Sequence, residues 1–365
     1  MYETAPRPRS RAGTAARRAR PAARRPPRQA ASAVERLMAG YRGRTPAGVP
    51  VLRDRADAVA YAAYRMPATF EAVSAALRRL AVRLPGWAPG GHLDVGGGTG
   101  AAVWAAAGAW PDADRATVVL DRAGPALDLG RELVRLAGDG PQRAAEWRLQ
   151  SVGATPAAIP ALPPTDLVTV SYVLGELPEA VRDALVDAVA RAGAAVVLVE
   201  PGTPDGYLRV RSARDRLLAA GLRVLAPCPH DGMCPVEPGA DWCHFAARVS
   251  RSALHRRVKG GVLPYEDEKF SFVAAVRPGV AGDLAATPAA GRIVRRPLTR
   301  KGQVLLDLCT RDEGLRRVTV SKRQGPDYRA ARDAAWGDAW PVSPDYPSGP
   351  DTGQDVRHTR DETAE

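Results

Sequence analysis

No apolar run in this 365-residue chain reaches the roughly 18 residues of a membrane span, so no membrane partner is expected. The most apolar stretch, AGAAVVLVE from Ala192 to Glu200, is too short and reads as a buried strand. The N-terminus has no apolar h-region, so no secretory signal is expected. Lysine is scarce: of 52 basic residues only Lys259, Lys269, Lys301 and Lys322 are lysine. Where arginine is the default, a lysine can mark a position that needs a compact charge, or the four can fall together by chance. Cysteine is equally scarce, with four residues, which excludes a disulfide-dense scaffold. Three of them, Cys228, Cys234 and Cys243, share one Pro/Gly-rich loop, APCPHDGMCPVEPGADWCHF.

Carboxylates are nearly absent from residues 1–30, where nine arginines face one acid, Glu3. That segment carries +8 of the chain's +12. It is Arg, Pro and Ala with almost no large apolar side chains, so residues 1–31 are expected to be a disordered arm. Such arms bind nucleic-acid phosphates by counterion release. A merely solvated tail and a transit peptide share the same composition. The Ala/Arg bias pervades the chain and suggests a GC-rich bacterial genome, hence a cytoplasmic bacterial protein. The polar residues 346–365 are expected to be a disordered tail.

With 45% apolar and 25% charged residues, the remainder should fold as a soluble globular protein. Residues 32–90 show helical spacing in ASAVERLMAGYRG and DRADAVAYAAYRMPATFEAVSAALRRLAVRL, and Pro67 should split the second run. From Gly91 the period changes. The strand candidates HLDVG, ATVVLD, DLVTVSYV and AAVVLVE alternate with helix candidates near 101–109, 123–137, 178–192 and 208–220. This alternation predicts a doubly wound, Rossmann-like α/β core over 91–225. The cysteine loop then occupies 226–260. DWCHFAARVS, KFSFVAAVR, GRIVRRPL, GQVLLDLCT and LRRVTVSK read as strands joined by turns. They predict a small antiparallel β-domain, barrel-like in outline, centred on 261–345, with a helical patch at DYRAARDAAW.

HLDVGGGTG ends the first core strand and opens a helix. Gly96, Gly98 and Gly100, with Gly97 between, follow Asp94 and allow a ligand's backbone to approach closely. The dinucleotide fingerprint is G-x-G-x-x-G, and here the third glycine falls one residue early. The pattern resembles motif I of the class I S-adenosylmethionine-dependent methyltransferases. Asp121 ends the next strand, 25 residues beyond Gly96, where an acid can accept both ribose hydroxyls. A carboxylate there repels a phosphorylated ribose and disfavours NADP. A dinucleotide site and a purely structural turn remain the competing readings. An Asn/Asp-Pro-Pro-aromatic motif is lacking after the fourth strand, where SYVLGELP places Ser171 and Tyr172, and no cysteine precedes residue 228. No catalytic base is therefore assigned. Glu176 and Tyr172 lie near the expected pocket mouth but serve equally well as packing or capping residues.

Five residues separate Cys228 from Cys234, eight separate Cys234 from Cys243, and sixty-five separate Cys243 from Cys309. Four thiolates suit zinc or an iron–sulfur cluster, and unliganded thiols are the third alternative. Paired C-x₂-C knuckles are missing, while His230 and His244 could replace a thiol at zinc. Six segments resemble a family of mitochondrial and bacterial methyltransferase-like proteins that act in assembly of the small ribosomal subunit. They are YRMPATFEAV, LDVGGGTGAAVWAA, SYVLGEL, VEPGTPDGY, the cysteine loop and YEDEKFSFV. The resemblance implies an adenosylmethionine-binding core and a [4Fe–4S] cluster on Cys228, Cys234, Cys243 and Cys309. It also implies binding to small-subunit ribosomal RNA, as an rRNA methyltransferase or a degenerate assembly factor. Such a cluster would staple the β-domain to the core. A small-molecule methyltransferase with a structural zinc is the rival reading.

Overall fold

A computed structural model describes residues 52–252, 256, 263–280 and 288–341. The arm, the ASAVERLMAGYRG pattern and the tail lie outside the described residues. Helix α1 (Arg55–Tyr64) starts at Asp54, whose carboxylate accepts the Asp57 N–H at 2.8 Å. Helix α2 (Met66–Arg83) follows after Arg65. Pro67 does separate the two, but from within the first turn of α2, where its missing N–H costs nothing.

The first sheet contains β1 (Gly91–Val95), β2 (Ala116–Asp121), β3 (Glu146–Leu149), β4 (Thr165–Ser171), β5 (Gly193–Pro201), β6 (Arg223–Ala226), β7 (Phe245–Ser250) and β8 (Tyr265–Val276). Its order is β3-β2-β1-β4-β5-β8-β6, with β7 also on β8. β1 to β5 pair in parallel, and β8 runs antiparallel between β5 and β6. Among the described residues, the helices α3 (Ala101–Ala109), α4 (Gly124–Leu136), α5 (Glu179–Ala192) and α6 (Pro204–Ala219) lie among these strands. Strand alternation sends successive β5 residues to opposite faces. Val196 and Leu198 join Leu93, Val168, Leu185 and Leu217 on one side. Val197 and Val199 join Leu77 and Leu80 of α2 with Phe270 and Phe272 on the other. Both faces are covered, as a largely parallel sheet requires.

Two segments read as part of the appended β-domain belong here instead. DWCHFAARVS supplies β7 and KFSFVAAVR lies largely in β8. Every residue from Phe270 to Val276 is buried, so that run needs cover on both faces. A one-faced outer sheet cannot provide it.

The second sheet has β9 (Gly291–Ile293), β10 (Leu298–Arg300), β11 (Gln303–Thr310), β12 (Gly314–Ser321) and β13 (Ala339–Trp340). All its pairings are antiparallel, in the order β10-β11-β9-β13 with β12 along the other side of β11. Its described strands form an open sheet and not a barrel. Val304, Leu306 and Leu308 of β11 pack with Ile293, Val320 and Ala331, the last from helix α7 (Pro326–Asp333). Arg292 ties the two sheets together. It is 1% exposed, and it donates to Pro227 O at 2.9 Å and Gly337 O at 2.8 Å.

Candidate functional site

The strand order reverses between β1 and β4, and the glycine loop leaves β1 at that point. The N–H groups of Gly96 and Gly97 donate to Leu120 O at 2.7 and 3.2 Å, binding the loop to β2. Gly96, Gly98 and Gly100 have φ of 70°, 54° and 83°, and Trp147 packs where a Gly100 side chain would begin. A Cβ on Gly97 would collide with Asp94 Oδ2 and Val119. Asp121 closes the turn: Oδ2 accepts from Gly98 N at 2.8 Å and Oδ1 from Ala123 N at 2.7 Å. Burial raises the pKa of Asp121, and these backbone N–H groups oppose the rise.

Asp94 is 1% exposed and heads a polar chain inside the sheet. Its Oδ1 accepts from Thr169 Oγ1 at 2.7 Å, and Thr169 Oγ1 lies 2.8 Å from His92 Nε2. Thr169 has one proton and gives it to Asp94, so His92 donates from Nε2. Burial, then the nearby Arg115 cation, lower the pKa of His92 to about 3, and the ring is neutral. Burial pushes Asp94 up to about 7. Asp94 Oδ2, Thr99 Oγ1 and Ser171 Oγ are buried without a hydrogen-bond partner among the described residues. These polar atoms sit on β1, on the loop and on β4, where a bound polar ligand would satisfy them. The residues present therefore fit adenosylmethionine.

Tyr172 follows β4 with φ +60°, uncommon for a side chain of its size. Its hydroxyl donates to Glu268 at 3.1 Å, Glu268 pairs with Arg65 at 3.1 Å, and the Arg65 guanidinium lies 5.6 Å from the centre of the Tyr172 ring. YRMPATFEAV, SYVLGEL and YEDEKFSFV thus meet at one point. Burial, then the Glu268 charge, hold the Tyr172 pKa well above its ordinary value, so this phenol keeps its proton at neutral pH. Glu176 pairs with Arg122 at 3.2 Å at the partly exposed rim. The buried Glu200, from VEPGTPDGY, accepts from Leu174 N at 3.0 Å and pairs with Arg209 at 2.7 Å. It anchors the turn after β4. Sequence reasoning missed Thr169, Glu200, Arg65 and Glu268 as contributors. Three of these lie in the quoted segments, yet nothing local marks their partners.

The four cysteines line one cavity between the sheets, with Tyr207, Arg214, His230 and Arg292 also in its wall. Cys228 follows β6, Cys243 precedes β7, and Cys309 comes from β11. Alternation puts Cys309 on the face opposite Leu308, away from the small core of the second sheet. His230 Nε2 stands 3.7 Å from Cys309 Sγ, and the Tyr207 hydroxyl 3.4 Å from Cys234 Sγ. His244 does not join the cavity wall; it stacks on Trp242 at 5.2 Å. Arg214 holds the loop by donating to His230 O at 2.9 Å and Gly232 O at 2.6 Å, and its Nε is buried without a partner among the described residues. Burial pushes the Cys309 thiol up to about 12 and raises those of Cys228 and Cys243; neighbouring thiolates add to each rise. Among the described residues no group of three or more His, Cys, Asp or Glu side chains is drawn together closely enough to hold a metal ion. The donor chemistry, four thiols with a buried cation beside them, fits an anionic thiolate-bound centre.

Residues 55–341 match the family model of the mitochondrial small ribosomal subunit protein Rsm22. The chain belongs to the Rsm22 family. Among relatives, it is 32% identical to the human mitochondrial ribosome assembly protein METTL17 over 310 residues, 81% of this chain and 65% of that protein. It is 30% identical over 209 residues to the mitochondrial Rsm22-cox11 tandem protein 2 of Schizosaccharomyces pombe, 47% of this chain and 28% of that one. This Rsm22 member thus spans under two thirds of the length of either relative. Both are mitochondrial proteins, a finding that overturns the expected bacterial cytoplasmic location. Compositional bias reports on a genome and not on a compartment. Solved structures of similar fold include magnesium protoporphyrin IX methyltransferase from Synechocystis PCC 6803 with bound SAM (14% identity, 66% of this chain, 89% of that chain, TM-score 0.36). Another is the ribosomal protein L11 methylase from Lactobacillus delbrueckii (14%, 55%, 77%, 0.31).

Proposed function

We propose that this Rsm22-family chain binds adenosylmethionine and a [4Fe–4S] cluster and acts on small-subunit ribosomal RNA during ribosome assembly. Family membership carries the reading, together with the convergence of four thiols on one cavity. The relatives' names supply ribosome assembly and the small subunit. Asp94, Gly96, Gly97, Gly98, Gly100 and Asp121 are the proposed cofactor residues, and Cys228, Cys234, Cys243 and Cys309 the proposed cluster ligands. Adenosylmethionine, when bound, supplies an electrophilic methyl group. Asp121 is held by two backbone N–H groups with lone pairs left for ribose hydroxyls. Asp94 offers a buried carboxylate oxygen without a partner. Tyr172 gives its proton to Glu268, and Glu268 pairs with Arg65, so neither side chain is left free as a base, which favours a cofactor-binding assembly factor over an active methyltransferase. The second reading is zinc on three thiols and His230, favoured by the 3.7 Å approach of His230 to Cys309.

Purification without oxygen, followed by iron, sulfide and zinc analysis, tests the centre. The expected result is about four irons per chain, lost in Cys309→Ser. Zinc in place of iron would end the cluster reading. Calorimetry should show adenosylmethionine binding that Gly98→Asp abolishes, since a new carboxylate there faces Asp121.

A further inference from the structure

The arm is not the only concentration of cations. β10 ends at Arg300, Lys301 and Gly302 form the turn into β11, and β12 ends at Ser321 just before Lys322 and Arg323. Strand register brings these ends together. Arg300 faces Gln303, Gln303 faces Ser321, and Lys322 N donates to Gly302 O at 2.9 Å. Arg300, Lys301, Lys322 and Arg323 therefore share one end of the second sheet, and all four are exposed. None of them has an ion-pair partner among the described residues. Three other arginines of this sheet and its loops are neutralised: Arg317 by Asp307 at 2.7 Å, Arg316 by Glu313, and Arg295 by Asp241. Residues 296–306 and 316–326 contain no carboxylate, and the nearest acid in sequence is Asp327. The turn that carries Lys322 and Arg323 is fixed by a capping box, with Gln324 Oε1 accepting Ser321 N at 2.7 Å. Two of the chain's four lysines stand here. Edge strands often bear cations that block pairing with another chain. That accounts for Arg300 on β10 but not for the three that lie beyond the strand ends.

Unneutralised like charges on a fixed backbone repel one another unless a polyanion covers them. We infer that this end of the second sheet is a phosphate-backbone contact for RNA, separate from the arm. The inference rests on the proposed RNA reading and adds where on the folded body the RNA is gripped. Six residue steps along β11, about 20 Å, separate this rim from Cys309, so the rim residues are not part of the thiol cavity wall.

The test uses the full chain and a fragment of small-subunit rRNA, with affinity measured from about 50 to about 200 mM salt. R300A/K301A/K322A/R323A should bind more weakly than the unaltered chain. Its plot of log K against log salt should be shallower by roughly 0.7 to 0.9 for each phosphate no longer neutralised. R316A/R317A, whose charges are already paired, should change the slope less. The charge-reversed K301E/K322E gives the same reading should the fourfold variant fold poorly. An unchanged slope in both rim variants, with RNA still bound, overturns the rim alone. A parent chain that binds no RNA overturns the RNA reading and the rim with it.

Discussion

Asp94 shows how one buried carboxylate couples the glycine loop to pH. Its ordinary pKa of 3.8 rises to about 7 on folding because burial penalises the charge. The folded state therefore holds its proton more tightly than the unfolded state does. Below about pH 4 Asp94 is neutral in both states and nothing is lost. As pH climbs from about 4 toward 7, the unfolded state releases this proton while the folded state keeps it, and folding becomes progressively less favourable. Asp94→Asn should thus stabilise the empty protein at pH 8, by on the order of 2–4 kcal/mol, with the gain fading toward pH 4. Thermal melts across that range measure it, and a gain that does not vary with pH would refute the assignment. Gly97 sets a second constraint. Gly97→Ala should destabilise the protein and abolish adenosylmethionine binding, since Asp94 and Val119 already fill the space a Cβ needs. Just after β4, Tyr172→Phe should cost about 1 kcal/mol by leaving Glu268 with one partner fewer.

β8 carries more of the fold than any other element added after α6. It is twelve residues long, pairs with β5 and β6 at one end and with β7 at the other, and contributes Phe270 and Phe272 to the core. Phe270→Ala should cost about 3–5 kcal/mol in urea unfolding and lower the midpoint without splitting the transition. The strand candidates from 91 to 201 were legible because β-branched runs and helical spacing alternate there. The short β3 and β6, four residues each, were not, because neither is long enough to display a period. β7 and β8 were legible as strands but not as members of the first sheet. Their partner is chosen by which sheet can bury both faces of Phe270–Val276, a choice the local pattern does not record.

Across the molecule, the loop between β6 and β7 and the strand β11 meet at the thiol cavity, and Arg292 bridges the same junction. Arg292→Met should loosen the second sheet, seen as earlier proteolysis of residues 288–341 while the first sheet stays protected. Burial holds the thiols of Cys228, Cys243 and Cys309 protonated at neutral pH, and a metal centre must displace those protons. Cluster reconstitution should therefore release protons and become more complete as pH rises from about 7 to about 9; a yield independent of pH would count against thiolate ligation.

Periodicity, the glycine spacing and charge segregation are written over a few consecutive residues. They suffice to read the α/β core and the position of the loop before Asp121. Contacts between distant positions have no such local signature. Arg65, Tyr172 and Glu268 join across more than two hundred residues, and Cys309 enters the cavity with the loop cysteines only because β11 turns that face toward it. Lys301 and Lys322 become neighbours only through strand register. Those pairings are settled by which surfaces can be buried together, and burial is a property of the folded whole.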